Sequence, residues 1–229
     1  MLPNHDIIST ARRSLTTTTM NYQGLKINIL FPTLLGETEF PGCEALNQDL
    51  AAYIRNLEQN ERDYSQFSTV NHGWQSSLNF LDSGVPAIQT LKHFINNQIE
   101  IFLKEWGKAS FSGSTPSTFH YSYKGWAVIL RQGGFQYEHV HTKTDLVGVY
   151  YVEVPTAPSA AESGNLTLID PRSGRVASRS IWETAQYTVR PKPGMFLLFP
   201  SFLPHRVNQV QAAGERISIN LDVSLHPSS

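Results

Sequence analysis

The sequence predicts a mainly β protein with flanking α-helices: a cupin-like jelly-roll core with N-terminal helices packed on one of its sheets. Two features predict this class. Up to Gly107, apolar residues recur at the spacing of amphipathic helices, and after it they alternate with polar residues, as in half-buried strands. About eight short strand segments follow, separated by turn-forming residues, which is typical of a closed or double-sheet β body.

Composition excludes several kinds of partner. The chain has 229 residues, of which 40% are hydrophobic and only 16% charged, and its net charge is −1. Because there is no basic excess, a nucleic acid is not expected, and no apolar run approaches the roughly 18 residues that span a membrane. The single cysteine, Cys43, fits a reducing compartment. We therefore expect a soluble, cytoplasmic protein, and composition leaves a homodimer open.

The chain is expected to form one domain after a polar leader. Residues 1–24 include the run Thr16 to Thr19, which offers little to a core, so we predict a flexible leader there. Residues 25–229 are predicted to form a single domain. Within it, helices at about 44–109 support a jelly-roll core at about 117–225.

Two apolar stripes predict the helices. The first is formed by Leu46, Leu50, Tyr53, Ile54 and Leu57, and the second by Ile88, Leu91, Ile95, Ile99, Phe102 and Trp106. Ser83 and Pro86 are a plausible cap and first-turn residue of the second helix.

The strand region ends in a segment with two distinct faces. The predicted strands are 119–123, 126–131, 135–141, 146–154, 164–169, 187–190, 195–199 and 216–223, and a turn is predicted at Gly133-Gly134. In the last strand the polar residues Arg216, Ser218, Asn220 and Asp222 alternate with apolar ones. The apolar face should pack against the helices. The polar face should look into the barrel mouth, where buried polar groups need partners or a ligand.

Three histidines are candidate metal ligands. His139 and His141 are two residues apart in a predicted strand, so both imidazoles point to the same side. His205 follows a buried strand, and the chain leaves that strand through Pro200 and Pro204, which places His205 at the rim of the sheet. Imidazole is the commonest protein ligand of transition metals, and three of them favour a metal site over incidental histidines.

The last strand adds a candidate anion site. The guanidinium of Arg216 and the neighbouring hydroxyl of Ser218 lie on the same face, and together they suit a carboxylate. Two histidines on an early strand, a third after a late strand and an arginine on the last strand form a pattern that is more specific than any of its parts.

Residues 125 to 223 resemble a family of 2OG-Fe(II) oxygenases, within the iron(II)/2-oxoglutarate-dependent dioxygenase superfamily. The motifs, in the family's order, are GW at 125–126, HVHT at 139–142, VGVYYVEVP at 147–155, DPR at 170–172, LLFPSFLPH at 197–205 and GERISINLDV at 214–223. The resemblance implies a double-stranded β-helix that uses Fe(II), 2-oxoglutarate and O2. It implies a hydroxylase acting on a small molecule or an amino-acid or peptidyl side chain, with Tyr151 helping to hold the co-substrate carboxylate.

The sequence departs from the superfamily at one ligand. The superfamily uses two histidines and one carboxylate, and the carboxylate stands two residues after the first histidine, where this chain has His141. Asp145, four residues further on, is the alternative anionic ligand, but it falls at a position that looks variable among the oxygenases that this chain resembles. The expected metal ligands are therefore His139, His141 and His205.

Two other functions remain open at this point. A cupin-like metalloprotein with three histidines could act without 2-oxoglutarate, as an isomerase, a hydrolase or a cofactor-independent dioxygenase. All-histidine ligation favours that alternative, whereas Arg216 and Ser218 oppose it. The barrel could also be a binding module in which the histidines are incidental, and such a protein would bind no stoichiometric metal.

Overall fold

The computed structural model describes residues 19–22, 25–28, 31–110, 120–155, 162–172 and 185–226. Its helices are α1 (Glu44–Asn60) and α2 (Pro86–Ser110). Its strands are β1 (Thr19–Tyr22), β2 (Leu25–Asn28), β3 (Gly36–Glu39), β4 (Val70–Gln75), β5 (His120–His139), β6 (Leu146–Glu153), β7 (Leu166–Ile169), β8 (Gln186–Val189), β9 (Met195–Pro200), β10 (His205–Val207) and β11 (Arg216–His226). Strand β1 lies within the predicted leader, whose residues 1–18, 23 and 24 are outside the described ranges.

Eight of these elements form the barrel, and β5 belongs to both of its layers. One layer has the order β9-β6-β11-β5, with β3 beside β9, and the other has the order β5-β10-β7-β8. Residues 120–130 of β5 pair with β11, whereas Gln136 and His139 pair with β10. The named strands pair antiparallel across the described ranges. This is the strand order of a double-stranded β-helix.

The predicted turn at Gly133-Gly134 is wrong. The chain continues as one strand of 20 residues, so three predicted strands merge into β5. Gly133 has φ of 89°, a backbone conformation that glycine adopts without strain. A β-carbon on Gly134 would lie 2.7 Å from the carbonyl oxygen of His72 in β4. The two glycines therefore mark the place where β5 changes its partner strand and not a reversal of the chain.

The two helices lie where the apolar stripes predict them and cover the outer face of the first layer. Their buried residues share one core cluster with Ile217, Ile219, Leu221 and Val223 of β11. The predicted packing of this apolar face against the helices is thus confirmed. Between the layers a second cluster contains the inward residues of β6, β7 and β9. Among the described residues, neither helix combines the length and hydropathy that crossing a membrane requires.

Charged side chains connect α1 to the start of β11. Arg55 of α1 pairs with Glu153 and Glu215, and Arg131 of β5 pairs with Glu58 and Glu215. These groups are partly exposed, so each pair contributes little free energy. The network nevertheless fixes the position of Glu215, the residue before the first residue of β11.

Gly148 of β6 sits opposite Leu221 of β11 and leaves no room for a side chain. A β-carbon there would lie 2.5 Å from a methyl carbon of Leu221. We expect Gly148→Ala to lower the free energy of unfolding, measured by urea denaturation, by about 1–3 kcal/mol. Because Leu221→Ala makes room, the double variant should lose less than the sum of the two single losses. Additive losses would contradict this steric account.

Candidate metal centre

The three predicted histidines meet at one end of the barrel. His139 is the last residue of β5, His141 follows it after one residue, and His205 opens β10, directly opposite His139 in the strand register. One nitrogen from each ring can be chosen so that all three lie within 4.8 Å of one another. The ring centroids of His139 and His205 are 4.3 Å apart. The convergence predicted from residues distant in the sequence is therefore present in the structure.

Hydrogen bonds orient all three rings in the same way. The Nδ1 atom of His139 donates to the carbonyl of Tyr137 (2.6 Å), and that of His205 donates to the carbonyl of Leu203 (2.9 Å). The Nδ1 atom of His141 donates to a carboxylate oxygen of Asp222 (2.5 Å). Because carbonyl and carboxylate oxygens only accept, each Nδ1 carries the hydrogen and each Nε2 keeps a lone pair. This is the tautomer and the supporting contact that metal-binding histidines require.

Burial lowers the pKa of two of the three imidazoles and so keeps them uncharged. Removal from water and, as a smaller cause, the neighbouring His139 together lower the pKa of His205 to about 3. Burial also lowers the pKa of His139. These rings are therefore neutral near pH 7, as a metal ligand must be.

Aromatic side chains pack against two of the three rings. Trp126 stacks on His141 with ring centroids 5.9 Å apart, and Phe199 meets His205 edge-on.

Asp145, the alternative anionic ligand, lies away from this cluster. Its carboxylate accepts a hydrogen bond of 2.8 Å from the backbone N–H of Leu225, at the end of β11. It is exposed and is not among the three groups that converge. The donor set at the centre is therefore three imidazoles, which suits zinc, copper, iron or nickel.

A cavity of about 290 Å³ adjoins the histidines. Its lining includes the buried apolar residues Val147, Val149, Leu166 and Trp126 and the buried Asn220. The exposed side chains of Phe67 and Leu78 also line it. The cavity therefore brings apolar side chains and polar ones, among them Lys124, Gln136, Thr142 and Asp222, next to the three imidazoles.

Arg216 is buried deeper in the barrel and has an unusual environment. Its side chain is 1% exposed, donates from Nε to the carbonyl of Gly164 (3.0 Å) and from Nη1 to the hydroxyl of Ser218 (3.2 Å). The guanidinium lies 4.9 Å from the ring centre of Tyr151. Within the described ranges no carboxylate pairs with it, and the hydroxyl of Tyr151 has no hydrogen-bond partner.

A buried cation without a counter-charge is costly, so this site is suited to an anion. Arg216, Ser218 and Tyr151 are brought together, as the sequence and the resemblance predict. Asn220 lies between the cavity beside the histidines and the site around Arg216. It lines the cavity and donates a hydrogen bond to the Ser218 hydroxyl (3.4 Å). Arg216 itself lies behind Asn220 and does not line the cavity of the described structure.

The contact between Asp222 and His141 was not identified from the sequence. The sequence predicts Asp222 only as one member of the polar row on the last strand. The row predicts that Asp222 faces inward, but its bond to His141 joins residues 81 positions apart and depends on the three-dimensional fold. The carbonyl of Gly164, which accepts from Arg216, had no signal in the sequence.

A family model matches the part of the chain that carries these groups. Residues 124–222 match the family described as "Putative 2OG-Fe(II) oxygenase". The match contains His139, His141, His205, Arg216, Ser218 and Tyr151. It confirms the resemblance seen in the sequence and the predicted class of enzyme, a 2-oxoglutarate-dependent Fe(II) dioxygenase. No curated protein matches the chain.

Solved structures are similar over most of the chain. A Pseudomonas putida prolyl-4-hydroxylase has a TM-score of 0.59 and 14% identity, with 84% of this chain and 93% of that chain covered. A Trichoplax adhaerens prolyl hydroxylase, in complex with a peptide fragment of the hypoxia-inducible-factor oxygen degradation domain, has a TM-score of 0.58 and 15% identity, with 83% of each chain covered. HygX from Streptomyces hygroscopicus, with nickel and 2-oxoglutarate bound, has a TM-score of 0.57 and 10% identity, with 84% and 83% covered. These similarities confirm the predicted fold class.

Burial of His205 should make the stability of the metal-free protein depend on pH. Its pKa is about 3 in the folded protein and 6.5 without burial. Between these values the unfolded chain binds a proton that the folded protein does not, so stability falls as pH drops below about 6.5. Between pH 7.5 and pH 5, His205→Phe should lose about 2 kcal/mol less unfolding free energy than the unmodified protein. Urea denaturation in a chelator measures both losses, and equal losses would contradict the assignment.

Proposed function

We propose that the protein is an iron(II)- and 2-oxoglutarate-dependent dioxygenase that hydroxylates an unactivated carbon of a small molecule or of an amino-acid or peptidyl side chain. Succinate and CO2 would be the other products. One observation carries the proposal: three oriented imidazoles and a buried guanidinium without a carboxylate partner face the interior of the same barrel.

The metal ligands in this proposal are His139, His141 and His205. Their Nε2 atoms are free because each Nδ1 is held by a carbonyl or a carboxylate. Three ligands from the protein leave open positions for a co-substrate and dioxygen, as in other non-haem iron oxygenases. With iron(II) and 2-oxoglutarate bound, decarboxylation of the co-substrate would allow one oxygen atom to enter a C–H bond of the substrate and the other to enter succinate.

Arg216 would bind the distal carboxylate of 2-oxoglutarate, with help from Ser218 and Tyr151. A guanidinium can form two parallel hydrogen bonds to a carboxylate, and the unpartnered hydroxyl of Tyr151 offers a third donor. The dianion would neutralise the buried guanidinium and one of the two positive charges that three neutral ligands leave on iron(II). Because Arg216 lies behind Asn220, side chains between them must move when the co-substrate enters.

The cavity and one similar protein support the proposed substrate class. The cavity is lined by apolar side chains such as Trp126, Val147 and Leu166, by polar ones such as Gln136 and Asn220, and, among the described residues, by a single lysine, Lys124. Such a surface suits a neutral, partly apolar group, whereas a polyanion would require a basic rim. The Trichoplax enzyme has a peptide bound, which supports a peptidyl side chain as one member of this class.

A three-histidine metalloprotein that acts without 2-oxoglutarate is the second candidate, and the all-imidazole donor set favours it. Succinate release separates the two functions. Protein loaded with iron(II) should convert 2-oxoglutarate to succinate in air, and chelation of the metal should abolish the reaction. A protein that binds one metal per chain, but forms no succinate with or without a range of candidate substrates, would support the second function.

Arg216 should determine the affinity for 2-oxoglutarate. Removing one partner of a buried, hydrogen-bonded charge pair costs at least about 2 kcal/mol, so Arg216→Met should weaken binding at least about 30-fold. Anaerobic titration of the iron(II) protein with 2-oxoglutarate, followed by the visible charge-transfer absorption, measures this affinity. Arg172→Met is the control, because it removes an exposed arginine that pairs with Asp170, just after β7, and does not contact Ser218 or Tyr151 in the described contacts. Equal affinities of the Arg216→Met and unmodified proteins would contradict the proposed role.

A further inference from the structure

A carboxylate lies directly behind one of the three imidazoles. Asp222, near the middle of β11, is 8% exposed, and one of its oxygens accepts the hydrogen bond from Nδ1 of His141 (2.5 Å). The other oxygen pairs with the ammonium group of Lys124 at 3.3 Å. The two oxygens of this carboxylate thus have separate partners, one at the candidate metal centre and one towards solvent.

This contact distinguishes His141 from the other two histidines. His139 and His205 donate to peptide carbonyls, which are neutral. Only His141 donates to a charged group among the described contacts of the three rings. His141 also stands at the position where the superfamily has its anionic ligand. The negative charge that is absent from the donor set is therefore present one hydrogen bond further from the metal.

The surroundings hold Asp222 in this position. In the sheet register Asp222 lies between Lys124 of β5 and Val147 of β6, so its backbone is paired on both sides. The ring of His141 is stacked on Trp126, and the carboxylate holds its edge. Two separate contacts therefore fix the plane and the direction of this imidazole.

We propose that Asp222 is a positioning residue for the metal centre: it directs Nε2 of His141 towards the metal and, through its charge, strengthens electron donation by that imidazole. The inference rests on the proposed function, because it takes the three histidines as ligands. A hydrogen-bonded carboxylate increases the basicity of a metal-binding imidazole, and loss of such a partner typically lowers metal affinity 10- to 100-fold. Asp222 would thereby compensate for the replacement of a carboxylate ligand by His141.

Two substitutions separate orientation from charge. Asp222→Asn keeps an oxygen that can accept the hydrogen bond but removes the charge, and Asp222→Leu removes both. Asp145→Asn is a matched control: it removes the same charge from a carboxylate that also contacts β11, but through the backbone of Leu225 and not through a histidine. Urea denaturation in a chelator establishes that each variant is folded before metal is added.

Cobalt(II) is the probe, because its visible d–d absorption reports both binding and ligand strength. The unmodified protein and Asp145→Asn should bind one Co(II) per chain with the same affinity and spectrum. Asp222→Leu should bind roughly 10- to 100-fold more weakly. Asp222→Asn should be weakened less, with shifted d–d bands. A purely structural ion pair would lower the stability of both variants and leave the affinity and the bands unchanged.

The outcomes for the two proposals differ. If the unmodified protein binds Co(II) but either Asp222 variant matches it in affinity and spectrum, the role of Asp222 is overturned and the three-histidine site remains. If the unmodified protein binds no stoichiometric Co(II), or if binding survives His205→Ala, the proposed metal site itself fails.

Discussion

The change of partner along β5 is the constraint on which the site depends. The first part of this strand pairs with β11, and its end pairs with β10. The same strand therefore connects the polar row of β11 with His205 at the start of β10 and carries His139 at its own end. Gly133, whose φ is 89°, stands where the partner changes. Without this continuity, the histidines and Arg216 would belong to separate sheets.

The two faces of the β9-β6-β11-β5 layer differ: the outer face packs against the helices, and the inner face carries the polar groups of the candidate site. Its outer face carries only apolar residues in β11, and the two helices cover them. Its inner face carries a row of polar residues from Arg216 to Asp222, each buried to more than nine-tenths. Burial of such groups is costly unless they are paired. Hydrogen bonds within the row offset part of this cost, while Arg216 and the Tyr151 hydroxyl remain available to an anion.

The sequence predicted those features that depend on periodicity. Alternation in the last strand predicted its apolar and polar faces, and the HVH segment predicted two imidazoles on the same side of the chain. It did not predict the continuity of β5, because a glycine pair is as typical of a turn as of an irregular strand. Strand β10 has three residues, too few for a pattern. The bond between His141 and Asp222 depends on strand register across 81 residues, which local patterns do not encode. The roles of the six predicted site residues stay predictions.

The most direct test of the account is a crystal structure with Mn(II), which cannot start turnover in place of iron, and 2-oxoglutarate. The account predicts an anomalous peak bound by Nε2 of His139, His141 and His205, with the distal carboxylate of 2-oxoglutarate against Arg216. It further predicts that Asp222 stays bonded to Nδ1 of His141. A metal bound through Asp145, or a co-substrate whose carboxylates both lie away from Arg216, would contradict it.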